Sequence, residues 1–544
     1  MKIKILSFAF AILMIISCFV SCQKKETNKG DESDTVSTDV VDVVTDTETD
    51  AETESETKAE TEVETEVETE VETEVETESE TELETEVETE EAPQTFNDLE
   101  AVNFNGQDFT ILTRDRYSGL WDPFEYDSNG INGEILNDTV YERNSMVEKK
   151  FNCKVIQKTD ADYGNSALAA FVSGTAEDYD IIVLPIMNSI GMLALSGYSY
   201  NLNNIASIDL DDNWWDQGVN DSLSLVGRYY TVCGDLNLND DIATWCVCFN
   251  KKLSRDYGID HYTALDDGTW TLEKMYTNAK LIAGGPDTGI SMYGVCTQAE
   301  FGEALLLADN KYCFTKDDSG IPQNNMRSSS FTETVFTIFD YMTDTNVNLL
   351  GHNKGETEGY EDYASWGSLY SKFSSGEAFY LAASISTVIN SKKINDMADG
   401  YGILPIPKFN DDSEYVSTFQ VEAGTSMSIL SNHPDAEKVG TFLTAMNAAS
   451  STTVIPALYE TTLERRKVPD AESLVSLDII FANRVVDIGY TVSSGVRSII
   501  KDTFNDLDGT INFESIRMKN MGNIEDSIDT IVEAIRSDFA VVPQ

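Results

Sequence analysis

The sequence predicts an α/β protein made of two lobes, carried behind an export leader and a long acidic tail. Two observations predict the α/β core. Residues 95–544 have ordinary globular composition over about 450 residues, which is too long for one simple core; lobes of roughly 200 residues each are the natural division. Within that block, short apolar runs alternate with segments whose apolar residues recur at helical spacing. The tail is marked off by its charge. Between Asp31 and Glu91 stand 28 Asp or Glu and one Lys, a net −27 of the chain's −58, leaving −31 elsewhere. The globular block is therefore acidic too. A phosphate backbone or an anionic membrane surface would be repelled, so nucleic acid is excluded as a partner.

Residues 1–22 read as a secretory signal: Lys2 and Lys4 precede an apolar run from Ile5 to Val20. That run is shorter than the ~20 residues needed to span a bilayer. Its end, Phe19-Val20-Ser21-Cys22, resembles the lipobox of bacterial lipoproteins, with Phe19 in place of the usual Leu. The resemblance implies that Cys22 is lipidated and becomes the new N-terminus. The expected location is then the cell surface, on the outer face of the bacterial cytoplasmic membrane, with the lipid on Cys22 as the only membrane attachment. Residues 23–94 run through Glu-Thr-Glu-Val repeats whose like charges repel and which offer almost nothing to bury. They are expected to form a disordered, extended linker. A neutral coil of this length would span roughly 45–50 Å, and a self-repelling one more.

In the globular block, Phe109-Thr110-Ile111-Leu112 reads as a strand, and Leu136, Val140, Val147 and Phe151 fall on one helical face. Lys154-Val155-Ile156 is a second strand, Ala167–Val172 a short helix, and Ile181–Leu184 a fully apolar third strand stopped by Pro185. A β-α-β-α-β order with apolar strands implies a parallel sheet covered on both faces. Further on, Phe331, Val335, Phe339 and Met342 mark an amphipathic helix, as do Val439, Phe442, Leu443 and Met446 after a start signal at Pro434. Of the eight cysteines, Cys18 and Cys22 belong to the leader. The other six are too sparse for a disulfide scaffold and read as small buried thiols, with one or two disulfides left open by export.

Several segments resemble extracellular solute-binding proteins of the maltose-binding type. Tyr179–Pro185 looks like that family's third strand, and Thr244–Leu253 like its "YNK" strand entering the second lobe. Gly268–Glu273 resembles its "TW-E" helix start, Phe373–Ala378 its "F-GEAA" segment, and Tyr401–Pro407 its "YG--P-P" strand. Gly424 to Ala449 resembles the helix that returns to the first lobe. The resemblance implies the two-lobed periplasmic-binding-protein fold of type II, with a ligand held between the lobes. It places the first lobe at about 100–235 and 420–480 and the second at about 236–419, with C-terminal helices 481–544 packing across both.

No catalytic or metal-binding constellation is evident. His261, His352 and His433 have no H-x-x-x-H spacing, and there is no G-x-S-x-G, P-loop or C-x-x-C. Cys246-Val247-Cys248 would put two thiols on one strand face, which reads as buried small residues ahead of a soft-metal site. No metal, cofactor or catalytic residue is expected. For binding, sugars need aromatic platforms flanked by polar groups, and sheets of this class bind outside the carboxyl ends of their strands. That rule and the resemblance select Trp121, after the first strand near Arg114 and Arg116, and Asn188, after the third. They also select Trp245 with Asp241 beside it, Ser384 after the "GEA" strand, and Glu422 before Gly424. Many sugar-binding members carry a stacking Trp where this chain has Ser386, which argues against an extended maltodextrin-like ligand. The expected function is a monomeric receptor that closes on a small solute, a sugar or oligosaccharide, and delivers it to the permease subunits of an ABC importer. The alternatives are a receptor for a polyamine or peptide, a surface enzyme acting on glycans, and an adhesin.

Overall fold

The apolar runs fold as strands because each can be buried on both faces. In the computed structural model β1 (Gln107–Arg114), β2 (Cys153–Asp160) and β3 (Ile181–Pro185) form one sheet, with β2 and β3 each parallel to β1. The structure describes residues 94–115, 126–128, 130–283, 292–351, 366–464, 472–505 and 513–539, all within a single unit, Glu88–Gln544. The leader and acidic tail thus lie outside the described residues. Helix Ile135–Phe151 is the crossover from β1 to β2; it buries Val140, Val147 and Phe151 and stops at Asn152, in the left-handed conformation at φ 49°. Helix Tyr163–Ser173 makes the second crossover. All five residues of β3 are buried, as a parallel strand covered on both faces requires.

The chain then builds a second sheet before returning. Its strands are β4 (Trp245–Asn250), β5 (Tyr293–Gln298), β8 (Asn348–Gly351), β9 (Ala378–Ser384) and β10 (Tyr401–Leu404), with a separate hairpin of β6 (Phe314–Lys316) and β7 (Pro322–Asn324). The order is β10-β4-β9-β5-β8; β5 is parallel to β8 and β9, whereas β4 is antiparallel to β9 and β10. Local signals set the helix starts here. Asn250 caps helix Lys251–Tyr257 by accepting from Leu253 N–H at 3.0 Å, and Thr271 caps helix Leu272–Ile282 through Lys274 N–H at 3.2 Å. The Trp270 indole donates to the Pro405 carbonyl at 3.0 Å, tying that helix start to the end of β10.

The return strand, β11 (Thr425–Ser428), adds antiparallel to β3, giving the first sheet the order β11-β3-β1-β2. Helix Ala436–Thr452 follows and covers this sheet, stacking Phe442 on Phe109 with ring centroids 4.2 Å apart. Three segments run side by side between the sheets. Trp245 N–H donates to Thr418 O at 2.9 Å and Gln420 N–H to Ala243 O at 3.2 Å. Ser417 N–H donates to Asn483 O, and Val485 N–H to Ser417 O, both at 2.8 Å. Cys153, Cys233, Cys246, Cys248, Cys296 and Cys313 are all buried free thiols, so the disulfides left open by export do not form among the described residues. Helices Ser494–Phe504 and Phe513–Phe539 pack on each other near the end of the chain.

Candidate functional site

Strand direction brings the carboxyl ends of both sheets to the crossing segments. β3 ends at Pro185, whose register partner Thr425 begins β11. On the other sheet, Trp245 begins β4 and pairs with Ser384, the last residue of β9. β5 is parallel to β9 and so ends on the same side, passing through Ala299 and Glu300 into helix Phe301–Ala308. An apolar cluster joins the two edges, running from Ile186 and Ile190 after β3 to Trp245, Phe301 and Tyr490. Helix Ile488–Val492 packs on the segment 186–194 within this layer.

The residues selected from sequence take different places here. Trp121 and Arg116 lie outside the described residues; the chain re-enters at Tyr126, whose phenol donates to Asn237 Oδ1 at 2.9 Å. That oxygen also accepts from Thr425 Oγ1 at 2.7 Å, so the returning loop is pinned to the start of β11. Asn188 is half-buried in the turn after β3. Trp245 is fully buried, its ring centroid 5.6 Å from that of Phe301, and its indole N–H has no partner among the described residues. Ser384 is buried, its Oγ 2.9 Å from Ser386 Oγ. Register thus brings Trp245 and Ser384 together.

Asp241 and Glu422 already have protein partners. Asp241 is buried in an ion pair with Arg484, which also reaches Asp216 Oδ2 at 2.7 Å and Asp240 Oδ2 at 3.7 Å. Burial, together with Asp216, pushes the Asp241 carboxyl up to about 6 against the opposing pull of Arg484. The Asp240 carboxyl is held well above its usual range by burial and by Asp241. Glu422 is exposed and lies 3.3 Å from Lys501 Nζ. Lys501 sits equally close, 3.3 Å, to Glu300.

Sequence reasoning missed Glu303 and Tyr490. Glu303 is 2% exposed, and its Oε1 has no hydrogen-bond partner among the described residues. Burial pushes its carboxyl well above the usual range, and the charges of Asp487 and Glu422 add to the effect. The Tyr490 hydroxyl is also buried and unpartnered, with Glu422, Glu303, Glu300 and Arg497 as its charged neighbours. A signal was present for Glu303: it is the one charge in the otherwise apolar helix Phe301–Ala308. Buried polar atoms in native proteins are normally satisfied. The Trp245 N–H, beside Phe301, and the Glu303 and Tyr490 oxygens, which interact electrostatically, are each left without a partner among the described residues; such groups beside aromatic rings suit a hydroxylated solute. Among the described residues no group of three or more His, Cys, Asp or Glu is arranged to hold a metal.

No family model matches the sequence, and no curated protein matches it. Solved structures do. A sugar transporter from Rhizobium etli in an open conformation aligns with a TM-score of 0.54 at 14% identity, covering 77% of this chain and 99% of that one. The apo form of RafE from Streptococcus pneumoniae aligns with a TM-score of 0.50 at 12% identity, covering 79% and 98%. Similarity at this level of identity speaks for the architecture, and both neighbours are covered almost end to end. The chain has the two-lobed α/β fold of extracellular solute-binding proteins.

Proposed function

We propose that this protein is a lipid-anchored receptor on the cell surface that closes on a sugar or oligosaccharide and delivers it to the permease of an ABC importer. It binds and releases its solute unchanged. The observation that carries the reading is the presence of buried, unpartnered polar atoms at Trp245, which begins β4 opposite the carboxyl end of β9, and at the electrostatically interacting Glu303 and Tyr490. The leader ending in Cys22 and the long acidic segment after it support the anchor and its reach. Ligand that touches both lobes would favour the closed form by its differential affinity, and the closed shape is what the permease would recognise.

The test is a thermal-shift and calorimetric screen of the purified protein against mono- and oligosaccharides. A ligand at 100 times its Kd adds about 2.7 kcal/mol to stability, a readily measured rise in Tm. Trp245→Phe keeps a ring beside Phe301 but removes the open N–H together with part of the buried indole. It is expected to lower Tm without ligand through lost packing and to weaken sugar binding about tenfold in the folded variant, read by calorimetry. A panel in which no sugar shifts Tm would refute the proposal.

A further inference from the structure

The charges around Glu303 do not balance, and the imbalance bears on what the solute carries. Glu300, Glu303 and Glu422 stand near one another, and the cation set among them is Lys501. Lys501 lies 3.3 Å from both Glu300 and Glu422, so it neutralises one charge of that pair. Arg497 adds a second positive charge nearby and is held by donating to the carbonyls of Tyr490 and Thr491, each at 2.7 Å. Asp487 spends its carboxylate on backbone N–H groups, with Gly489 at 2.7 Å and Cys313 among them. Glu303 is left buried, with an open oxygen and no cation of its own.

We infer that the solute carries a protonated amine among its hydroxyls, as an amino sugar does, and that Glu303 receives this amine with the Tyr490 hydroxyl beside it. This rests on the receptor reading above and names the chemical class of its cargo. An ionised carboxylate buried without a partner is costly, and burial accordingly pushes the Glu303 carboxyl well above its usual range. An ammonium offsets that cost, supplying both charge and donors to an acceptor otherwise unsatisfied. A neutral sugar brings donors but no charge to set against an ionised Glu303. The site therefore discriminates by charge.

The experiment titrates the full-length protein by calorimetry at pH 6, where the amines are largely protonated, with glucosamine and chitosan oligosaccharides. Their N-acetylated counterparts and malto-oligosaccharides serve as neutral comparators. The amines are expected to bind at least tenfold more tightly than the acetylated forms. Glu303→Gln is expected to remove that preference while raising the Tm of the empty protein, because a buried acid is replaced by an amide of the same shape. Equal or tighter binding of the neutral sugars overturns the inference and leaves the receptor reading standing. So does an amine preference that survives Glu303→Gln in a folded variant. No binding by either set overturns both.

Discussion

Arg484 holds three buried carboxylates, Asp216, Asp240 and Asp241, where the chain passes between the sheets. Breaking a buried pair leaves an uncompensated charge, so Arg484→Met is expected to cost about 3–5 kcal/mol in urea denaturation at pH 7. Asp241 titrates at about 6 when folded, against an ordinary value of 3.8, so the folded state holds the extra proton between those values. Its contribution is fully present below the unfolded value and is lost as pH rises through about 6. Acidification should therefore rescue the Arg484 variant in part. His261 works in the opposite sense. It is buried between Ser254 Oγ at 3.1 Å and Tyr380 Oη at 2.7 Å, and burial lowers its value from 6.5 to about 3. The unfolded chain takes the proton first, so stability is full above pH 6.5 and falls as pH drops towards 3. His261→Gln is expected to lower stability at pH 7 yet flatten the slope between pH 6.5 and 4, read from denaturation midpoints across that range.

At the scale of elements, the three segments between the sheets are packed too closely to accept added atoms. Gly218, the second residue of helix Gln217–Leu223, lies against the third segment, and a Cβ there would lie 2.2 Å from the Arg484 carbonyl oxygen. Gly218→Ala must move backbone, and about 1–3 kcal/mol of lost stability is expected, measured by urea denaturation. Which elements the sequence made legible follows from how local their cause is. Ile181–Pro185 announces itself as a continuous apolar run, and the Phe331 and Val439 faces by helical periodicity, each within its own segment. β11 reads TSMS, four buried residues of weak strand character, and exists because β3 offers an unpaired edge far back in the chain. The site divides in the same way. Ser384 ends β9 and could be reached by the carboxyl-end rule, whereas Trp245 begins β4 and follows from the family resemblance instead. Arg484, Tyr490 and Lys501 come from a segment that meets the site only through tertiary packing, and Asp241 could not be known to be paired until Arg484 was placed.

For the whole molecule, the place where the linker joins the folded part has a mechanical consequence. The first described residues dock on the first sheet's helix: Phe96 packs on Phe151, and Lys150 Nζ donates to the Phe96 carbonyl at 2.6 Å. Phe104 N–H then donates to Phe151 O at 2.8 Å, just ahead of β1. If Cys22 is the anchor, any pull from the membrane enters through the first lobe alone and never traverses the crossing segments. Drag or tension on the linker would then do no work on closure. Sugar affinity should be the same, within error, for the lipid-anchored protein in vesicles and for a Cys22→Ser variant free in solution; a severalfold difference would show that load does reach the hinge. A receptor loaded in this way can be lengthened, shortened or crowded at its base without retuning its grip, which frees the acidic segment to vary in reach independently of the binding site.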